Sequence, residues 1–294
     1  MRALRRSAQG FTLVELLVAM ALGLTVIALA SSGLLLARQG MRLVDHSTQL
    51  QDRERLARDV ITRLLRQAST AGLTDDAPAI YGWDNAAYRK PETLDFSAIR
   101  KIHNGSRPGH CGKVRDSSCL NGSDIVAVRL PSGSAPSHCG GTSAPVHPVN
   151  LLYLARSGTG EPGLYCAYPS ANDWVSAPLI EGVESLQFLF GLQSQDTGSS
   201  HIAQWRHAGD MEISGDAATT RLNWQRVHAV QVALVLRSTD GVAAPGPTVL
   251  HPWGASHAEI TLTDAGASLE LAADRRLRRM VQWSVHLPAA KARP

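Results

Sequence analysis

The sequence predicts an α+β protein, in which a long amino-terminal helix, membrane-spanning in its first half, packs on a β-rich globular head. Two observations lead to this fold class. No charged side chain occurs from Leu16 to Ala37, a stretch long enough to cross a hydrocarbon core of ~30 Å. After residue 73, short apolar segments alternate with clusters of Gly, Pro and Ser, which is typical of strands and turns. The 294 residues give ample length for such a head.

An acid interrupts the apolar run of the first element. The basic leader MRALRRSAQG ends at Gly10, and Phe11 opens the apolar segment. Glu15 follows four residues later, on the same helix face as Phe11 and at the positive end of the helix dipole. An ionised carboxylate at the centre of a bilayer costs roughly 2.5–3.5 kcal/mol even on insertion scales. Glu15 therefore needs a partner or a function.

The order of Gly10, Phe11, Thr12, Leu13 and Glu15 resembles the type IV prepilin signal. The resemblance implies that prepilin peptidase cuts between Gly10 and Phe11 and methylates the new amino group of Phe11. It also implies that Glu15 pairs with the free amine of a neighbouring subunit during filament assembly. Such a pairing would offset a charge that is costly inside an apolar helix bundle.

Two other interpretations of this amino end stay open. The first is a secretory signal peptide with an A-x-A-type cleavage site at residues 28–30. The second is an ordinary signal anchor. The first places Glu15 inside the apolar core of the signal, and the second leaves Gly10, Phe11 and Glu15 unexplained. In the prepilin and anchor interpretations, the leader arginines place the leader in the cytoplasm and the head in the periplasm, with the inner membrane between them.

The helix is predicted to continue well beyond the membrane. Apolar residues recur every seven positions, at Leu43, Leu50, Ala57, Leu64 and Ala71, and charged residues lie between them. Gly72 is the predicted stop. The predicted organisation is a leader at 1–10, a transmembrane half-helix at 11–37, an amphipathic half-helix at 38–72 and a periplasmic head at 73–294.

The head is predicted to be built from short strands. Several candidate segments alternate in polarity, and turn-forming clusters separate them. The predicted strands span residues 124–130, 150–155, 163–168, 183–190, 228–237, 258–262 and 280–287.

The order of several segments in the head narrows the family. They are GSDIVAVRL (122–130), GLYC (163–166), PLIEGVESLQFLFG (178–191), VHAVQVALVLRS (227–238) and DRRLRRMVQWSVHL (274–287). Together they resemble the PilW family of minor pilins, which is related to the J-type minor pseudopilin of type II secretion. The resemblance implies a type IV pilin fold and a role in priming pilus assembly, at or near the tip. The implied partners are other minor pilins, the major pilin and a tip adhesin; a type II secretion pseudopilin is the alternative.

Four cysteines, Cys111, Cys119, Cys139 and Cys166, lie on the predicted periplasmic side. An even number in an oxidising compartment favours two disulfides, for which three connectivities exist. The favoured pairs are Cys111–Cys119, which closes a short loop, and Cys139–Cys166, which ties a Gly/Pro-rich loop to a strand. A zinc site with the neighbouring histidines is the alternative, but the cysteines lack the short spacing of zinc ligand pairs.

Composition and motifs favour a structural protein and not an enzyme. The formal net charge is +4, and the leader carries three of these positive charges, so the remainder does not indicate a nucleic-acid partner. No nucleophile-elbow, zinc-protease or phosphate-loop motif occurs, and no cofactor or metal is predicted. The basic run from Arg275 to Arg279 fits either a membrane or acidic-partner contact, or a solvated turn in which Asp274 pairs locally. A membrane-anchored periplasmic binding protein or enzyme is the rival class.

Overall fold

The computed structural model describes most of the helix and the head. The described residues are 12–68, 78–84, 120–131, 138–141, 149–169, 174–194, 201–241, 246, 249–260, 264, 266–271 and 273–288. The predicted site residues Gly10, Phe11, Cys111 and Cys119, and the predicted helix stop Gly72, lie outside them.

Helix α1 spans Leu13–Arg66, 54 residues in one element, or about 80 Å at ~1.5 Å per residue. Thr12 is its N-cap. The prediction that the helix continues to Ala71 is wrong. The N–H of Gln67 bonds to the carbonyls of Leu64 and Leu65, and the N–H of Ala68 bonds to Leu65 as well, so the last turn tightens and the helix ends.

The strands of the head form two main sheets. The first sheet is an antiparallel meander in the order β1-β2-β3-β4-β5, and the second has the order β11-β8-β6-β7. A short pair, β9 and β10, forms a separate two-stranded sheet. The bounds are β1 Ile80–Trp83, β2 Ile125–Arg129, β3 Val149–Arg156, β4 Pro162–Pro169, β5 Trp174–Glu181, β6 Val183–Gln193, β7 Ile202–Arg206, β8 Val227–Arg237, β9 Val249–Leu250, β10 Leu269–Glu270 and β11 Arg278–His286.

Two short helices and a 3₁₀ turn complete the described head. The 3₁₀ turn spans Gly209–Met211, and α2 spans Ala217–Gln225. Helix α3, Ala255–Ile260, occupies the place where the sequence predicted a strand at 258–262, and that prediction is wrong for the described residues of the segment. The apparent alternation there is short, and Ala258 and Glu259 favour helix over strand.

The second half of α1 packs on one face of the second sheet. Its buried residues are Leu50, Ala57, Ile61, Leu64 and Leu65, which is the stripe that the seven-residue period predicts, although Leu43 stays 43% exposed. On the sheet, the alternate positions Val230, Val232, Leu234 and Leu236 of β8 are buried beneath the helix in the same core. This layer of helix on sheet fixes the head at one end of α1.

The two sheets meet through an aromatic cluster. Trp224 of α2 lies 4.5 Å from Tyr81 and 4.8 Å from Phe190, measured between ring centroids. Gly82 on β1 lies directly against the Phe190 ring, because a Cβ at this position would collide with the ring atoms. The cluster therefore connects the first sheet, the second sheet and α2 in a single core.

Candidate functional site

The first turn of α1 holds the Glu15 carboxylate by a capping box. The backbone N–H of Thr12 donates to Glu15 Oε2 at 2.9 Å, and the Thr12 hydroxyl donates to the same oxygen at 3.0 Å. In return, the Glu15 N–H donates to the Thr12 hydroxyl at 3.3 Å. Each side chain thus accepts the backbone N–H of the other residue, which would otherwise lack a partner at the end of the helix. The carboxylate is held at the amino end of the helix, where the dipole favours negative charge.

The first half of α1, on both sides of Glu15, is apolar and uncovered. Its large apolar side chains are more than half exposed, although an ordinary globular protein exposes few such residues together. They are Leu13, Val14, Leu16, Leu17, Val18, Met20, Leu22, Leu24, Val26, Ile27, Leu29, Leu34, Leu35 and Leu36. By length and composition α1 is able to cross a membrane, and it alone among the described helices meets that test.

Three glycines in the uncovered part of α1 have no packing role among the described residues. A Cβ placed on Gly23, Gly33 or Gly40 would meet no heavy atom of these residues within 4 Å. Glycine costs about 1 kcal/mol relative to alanine in a helix, and no described contact compensates for that cost here. Small residues of this kind allow close approach of a second helix.

A row of side chains on α1 connects the helix to β11. Glu54, Arg58 and Thr62 follow one another at intervals of four residues and so share one helix face. Glu54 pairs with Arg279, and the Thr62 hydroxyl accepts the indole N–H of Trp283 at 3.1 Å. The Arg58 guanidinium lies 5.5 Å from the centroid of the Trp283 ring. These contacts fix the rotation and register of α1 on the sheet.

The basic run that leads into β11 lies in an internal ion-pair network. Arg276 binds Glu161 through two hydrogen bonds, at 3.0 and 3.1 Å. Arg278 binds Asp274 at 2.9 Å and also binds Glu184, at 2.7 and 3.1 Å. Asp274 therefore pairs locally, as one of the two interpretations of the sequence predicts.

This network perturbs the acids that form it. Burial alone would raise the pKa of Asp274, but hydrogen bonds from the Arg278 side chain and the Arg276 N–H hold it below its usual range. Hydrogen bonding to Arg276 likewise lowers the pKa of Glu161. Arg276 and Arg278 are therefore committed to partners within the head, and Arg279 is committed to Glu54 on α1.

Cys139 and Cys166 form a disulfide that joins the turn at 138–141 to strand β4. It is one of the two pairs that the sequence favours. His138 beside it is buried, stacks on Tyr168 at 5.0 Å and shares a hydrogen bond of 3.1 Å with Asn150. Burial lowers the pKa of this histidine. Within the described ranges, no group of three or more His, Cys, Asp or Glu side chains is placed to hold a metal ion.

The tryptophans divide between core and surface. Trp224 is fully buried, whereas Trp205 is 37% exposed and packs on the glycine at position 191, where a Cβ would come within 3.0 Å of its ring. One pair of functional candidates in the head, His207 and His257, has no signal in the sequence; their rings meet although 50 positions separate them. No local pattern in the sequence could have predicted that contact.

Comparison with known proteins gives matches at both ends of the chain. Residues 151–289, from β3 through β11, match the family model of type IV pilus-assembly protein W. Residues 5–31 match the prokaryotic N-terminal methylation motif. Among solved structures, a type IV-like pilin from Thermus thermophilus is similar at 15% identity and a TM-score of 0.41, covering 81% of this chain and 95% of its own. No curated protein matches.

The apolar amino-terminal helix with its methylation motif, joined to a β-rich head, defines a pilin-like protein. Within that class, the match over 151–289 confirms the predicted resemblance to the PilW family of type IV pilus minor pilins.

Proposed function

We propose that this chain is a minor pilin that takes part in priming and assembling a type IV pilus, at or near its tip, together with other minor pilins and the major pilin. The observation that supports this most directly is the contrast within α1. Its second half packs on the head by specific contacts, while its first half presents mainly apolar side chains, together with small residues and the carboxylate of Glu15. The match to the pilus-assembly W family favours the pilus over type II secretion.

The proposed maturation follows from the amino-terminal motif. Prepilin peptidase cuts between Gly10 and Phe11, removing the leader 1–10, and methylates Phe11. Before assembly, the segment 11–37 spans the inner membrane and the head lies in the periplasm; after assembly, the subunit is part of the surface pilus. A tip adhesin is a further proposed partner.

In this proposal Glu15 sets the register between subunits. The capping box holds its carboxylate towards the amino end, where the new ammonium group of a neighbouring subunit is the complementary charge. Packing of helix against helix through the uncovered apolar surface then supplies the main attraction. The proposed role is structural, and no catalytic step is assigned to the head.

The first test is mass spectrometry of the mature chain from membranes of the native host. An N-methylated chain beginning at Phe11 supports the proposal, and a chain beginning at Ser31 would mean ordinary secretion and refute it. The second test is Glu15→Ala, which we expect to insert in the membrane but to be lost from sheared pili at least about tenfold, the effect of ~1.4 kcal/mol.

A matched control for this variant is Asp59→Ala. Asp59 is an acid of the same helix, its side chain is 64% exposed, and it pairs only with Arg63 one turn away among the described contacts. We expect this variant to enter pili normally, because exposed pairs of this kind contribute little. Normal incorporation of Glu15→Ala would contradict the proposed mechanism. Intact pili after deletion of the gene would favour the rival class of an anchored binding protein.

A further inference from the structure

Two histidines from distant parts of the chain meet in the head. His207 follows β7 and is 9% exposed, while His257 lies in α3 and is half-buried. Their Nε2 atoms are 3.0 Å apart, a hydrogen-bonding distance. An imidazole nitrogen either donates or accepts, so one Nε2 must hold a proton and the other must present its lone pair. The contact is therefore satisfied only while the two facing nitrogens share one proton.

Two carboxylates face this pair from neighbouring elements. Asp264, in the loop after α3, places Oδ2 3.7 Å from Nδ1 of His207, and both side chains are about nine-tenths buried. Asp84, at the end of β1, accepts the N–H groups of Ala208 and the residue at 209, at 2.8 and 2.6 Å, and lies within the electrostatic reach of His207. In the turn before α3, the ring of Trp253 stands edge-on to His257, with 6.4 Å between centroids.

The segment that carries His257 covers the outer face of the second sheet. Successive residues of β11 point to opposite faces. Trp283 contacts α1, and its neighbour Gln282 donates from Nε2 to the carbonyl of Pro252 on the other side. Further along the same segment, residue 266 lies against the Gln187 amide of the sheet, and Leu269 is 3% exposed. We call residues 249–271, as far as they are described, the cover segment.

We propose that the His207–His257 contact is a pH-sensitive latch, which holds the cover segment on the sheet at neutral pH and releases it in mild acid. Protonation of both rings would put two N–H groups, each a donor, at the 3.0 Å contact. It would also place two positive charges side by side where burial weakens solvent screening. Separation of α3 from the end of β7 relieves both effects.

The direction of the pH dependence follows from the surroundings of His257. Burial and the neighbouring His207 lower the pKa of His257 below its usual value of 6.5 in the folded protein. The unfolded or released segment therefore takes up the proton first. The contribution of the latch to stability is complete above pH 6.5 and is lost as the pH falls through the lowered pKa. Release exposes the strip of sheet that includes Gln187 and Gln282.

The test is hydrogen–deuterium exchange of the full-length chain in detergent at pH 7.5 and pH 5.0, corrected for the intrinsic effect of pH on exchange. We expect peptides from the cover segment to exchange at least about threefold faster at pH 5.0, because the released segment takes up a proton more readily than the closed one. Peptides from the hairpin of β3 and β4 should not change. Loosening of that hairpin to the same extent would indicate global unfolding and overturn the proposal.

Two variants separate the latch from the carboxylates around it. His257→Gln has no proton to gain and retains a donor and an acceptor, so we expect its exchange ratio between the two pH values to fall below about twofold. His251→Gln is the matched control: His251 lies in the same segment and bonds to the Ser268 hydroxyl at 3.0 Å, so its loss should leave the response intact. A full response in His257→Gln would assign the effect to Asp84 or Asp264 and refute the latch.

A measurement on the unmodified chain keeps the proposal testable if His257→Gln fails to fold. Carbon-13 NMR of labelled histidine rings follows each protonation directly. We expect one ring, assigned to His257 by its absence in the variant spectrum or by proximity to Trp253, to titrate below pH 6.5 together with the signals of the cover segment. Titration of every histidine ring at or above the ordinary value would overturn the proposal.

Discussion

Loss of the Glu184 charge should destabilise the head more than loss of any neighbouring acid in the same network. Glu184 is 5% exposed and accepts hydrogen bonds from Arg237 at 3.0 Å and from Arg278 at 2.7 and 3.1 Å. Glu184→Gln preserves the size of the side chain but removes the negative charge. It also turns an amide NH₂ towards two guanidinium groups, which have no acceptor to offer.

The size of the expected loss in unfolding free energy depends on which acids each arginine still pairs with. Removing one member of a buried ion pair costs about 3–5 kcal/mol, because the partner charge stays buried without compensation. Here Arg278 keeps Asp274, and Arg237 keeps Glu161 at 2.7 Å, so the loss should lie near the lower end, about 3 kcal/mol. The matched control is Glu161→Gln. The side chain of Glu161 is 30% exposed, so solvent compensates part of the lost charge and we expect a loss of about 1 kcal/mol.

The assay is urea unfolding of the full-length chain in detergent at pH 7, monitored by tryptophan fluorescence. Trp224 is fully buried at the junction of the two sheets, so its emission should report unfolding of the head. The free energy of unfolding should fall about three times further in Glu184→Gln than in Glu161→Gln. Equal losses in the two variants, or a loss below about 1 kcal/mol for Glu184→Gln, would refute the argument from burial.

Two further substitutions test the packing of the head, and thermal unfolding with limited proteolysis measures both. Gly82→Ala should destabilise the head by about 1–3 kcal/mol, because its Cβ would enter the space of the Phe190 ring. The control Gly23→Ala, whose Cβ would meet no described atom, should leave the stability of the head unchanged. Equal effects of the two variants would contradict the packing argument. Trp283→Phe removes the hydrogen bond to Thr62 and weakens the contact with Arg58. The protease should therefore cleave α1 near residue 62 faster, while the sheets stay intact. Unchanged cleavage would show that Trp283 does not anchor the helix.

Elements with a strong internal pattern could be predicted from the sequence. Helix α1 has a long apolar run followed by a seven-residue period, and β8 is a long apolar-rich strand that is buried at every position except His228, Gln231 and Arg237. The strands β5 and β7 were missed for physical reasons. Strand β5 lies at an edge of the first sheet and contains Pro178, which turn statistics assign to loops, and β7 is an edge strand that is exposed on alternate positions.

The contacts of the candidate site also differ in whether a local sequence pattern predicts them. The capping box of Thr12 and Glu15 spans three residues, so a local motif contains the whole interaction. The role of the basic run at the start of β11 could not be resolved from the sequence, because Glu161, which holds Arg276, and Glu184, which holds Arg278, lie 115 and 94 positions away. Such contacts exist only once β6, β8 and β11 are neighbours in a sheet, and no periodicity encodes that order.

A glycine in the head and glycines in the first half of α1 differ in whether the fold of the chain requires them. Gly182 is required by the fold: its φ of +80° disfavours other residues, and a Cβ there would lie 2.7 Å from the carbonyl oxygen of Arg237. Gly23 and Gly33 have ordinary helical geometry, and a Cβ on either would meet no atom of the described residues, so these residues give them no packing reason. Glycines that cost helix stability without such a reason are typical of close contacts between helices. The same argument applies to Glu15, whose carboxylate has no partner beyond Thr12 among the described residues and is costly in a membrane. In the proposed assembly, a neighbouring subunit supplies that partner.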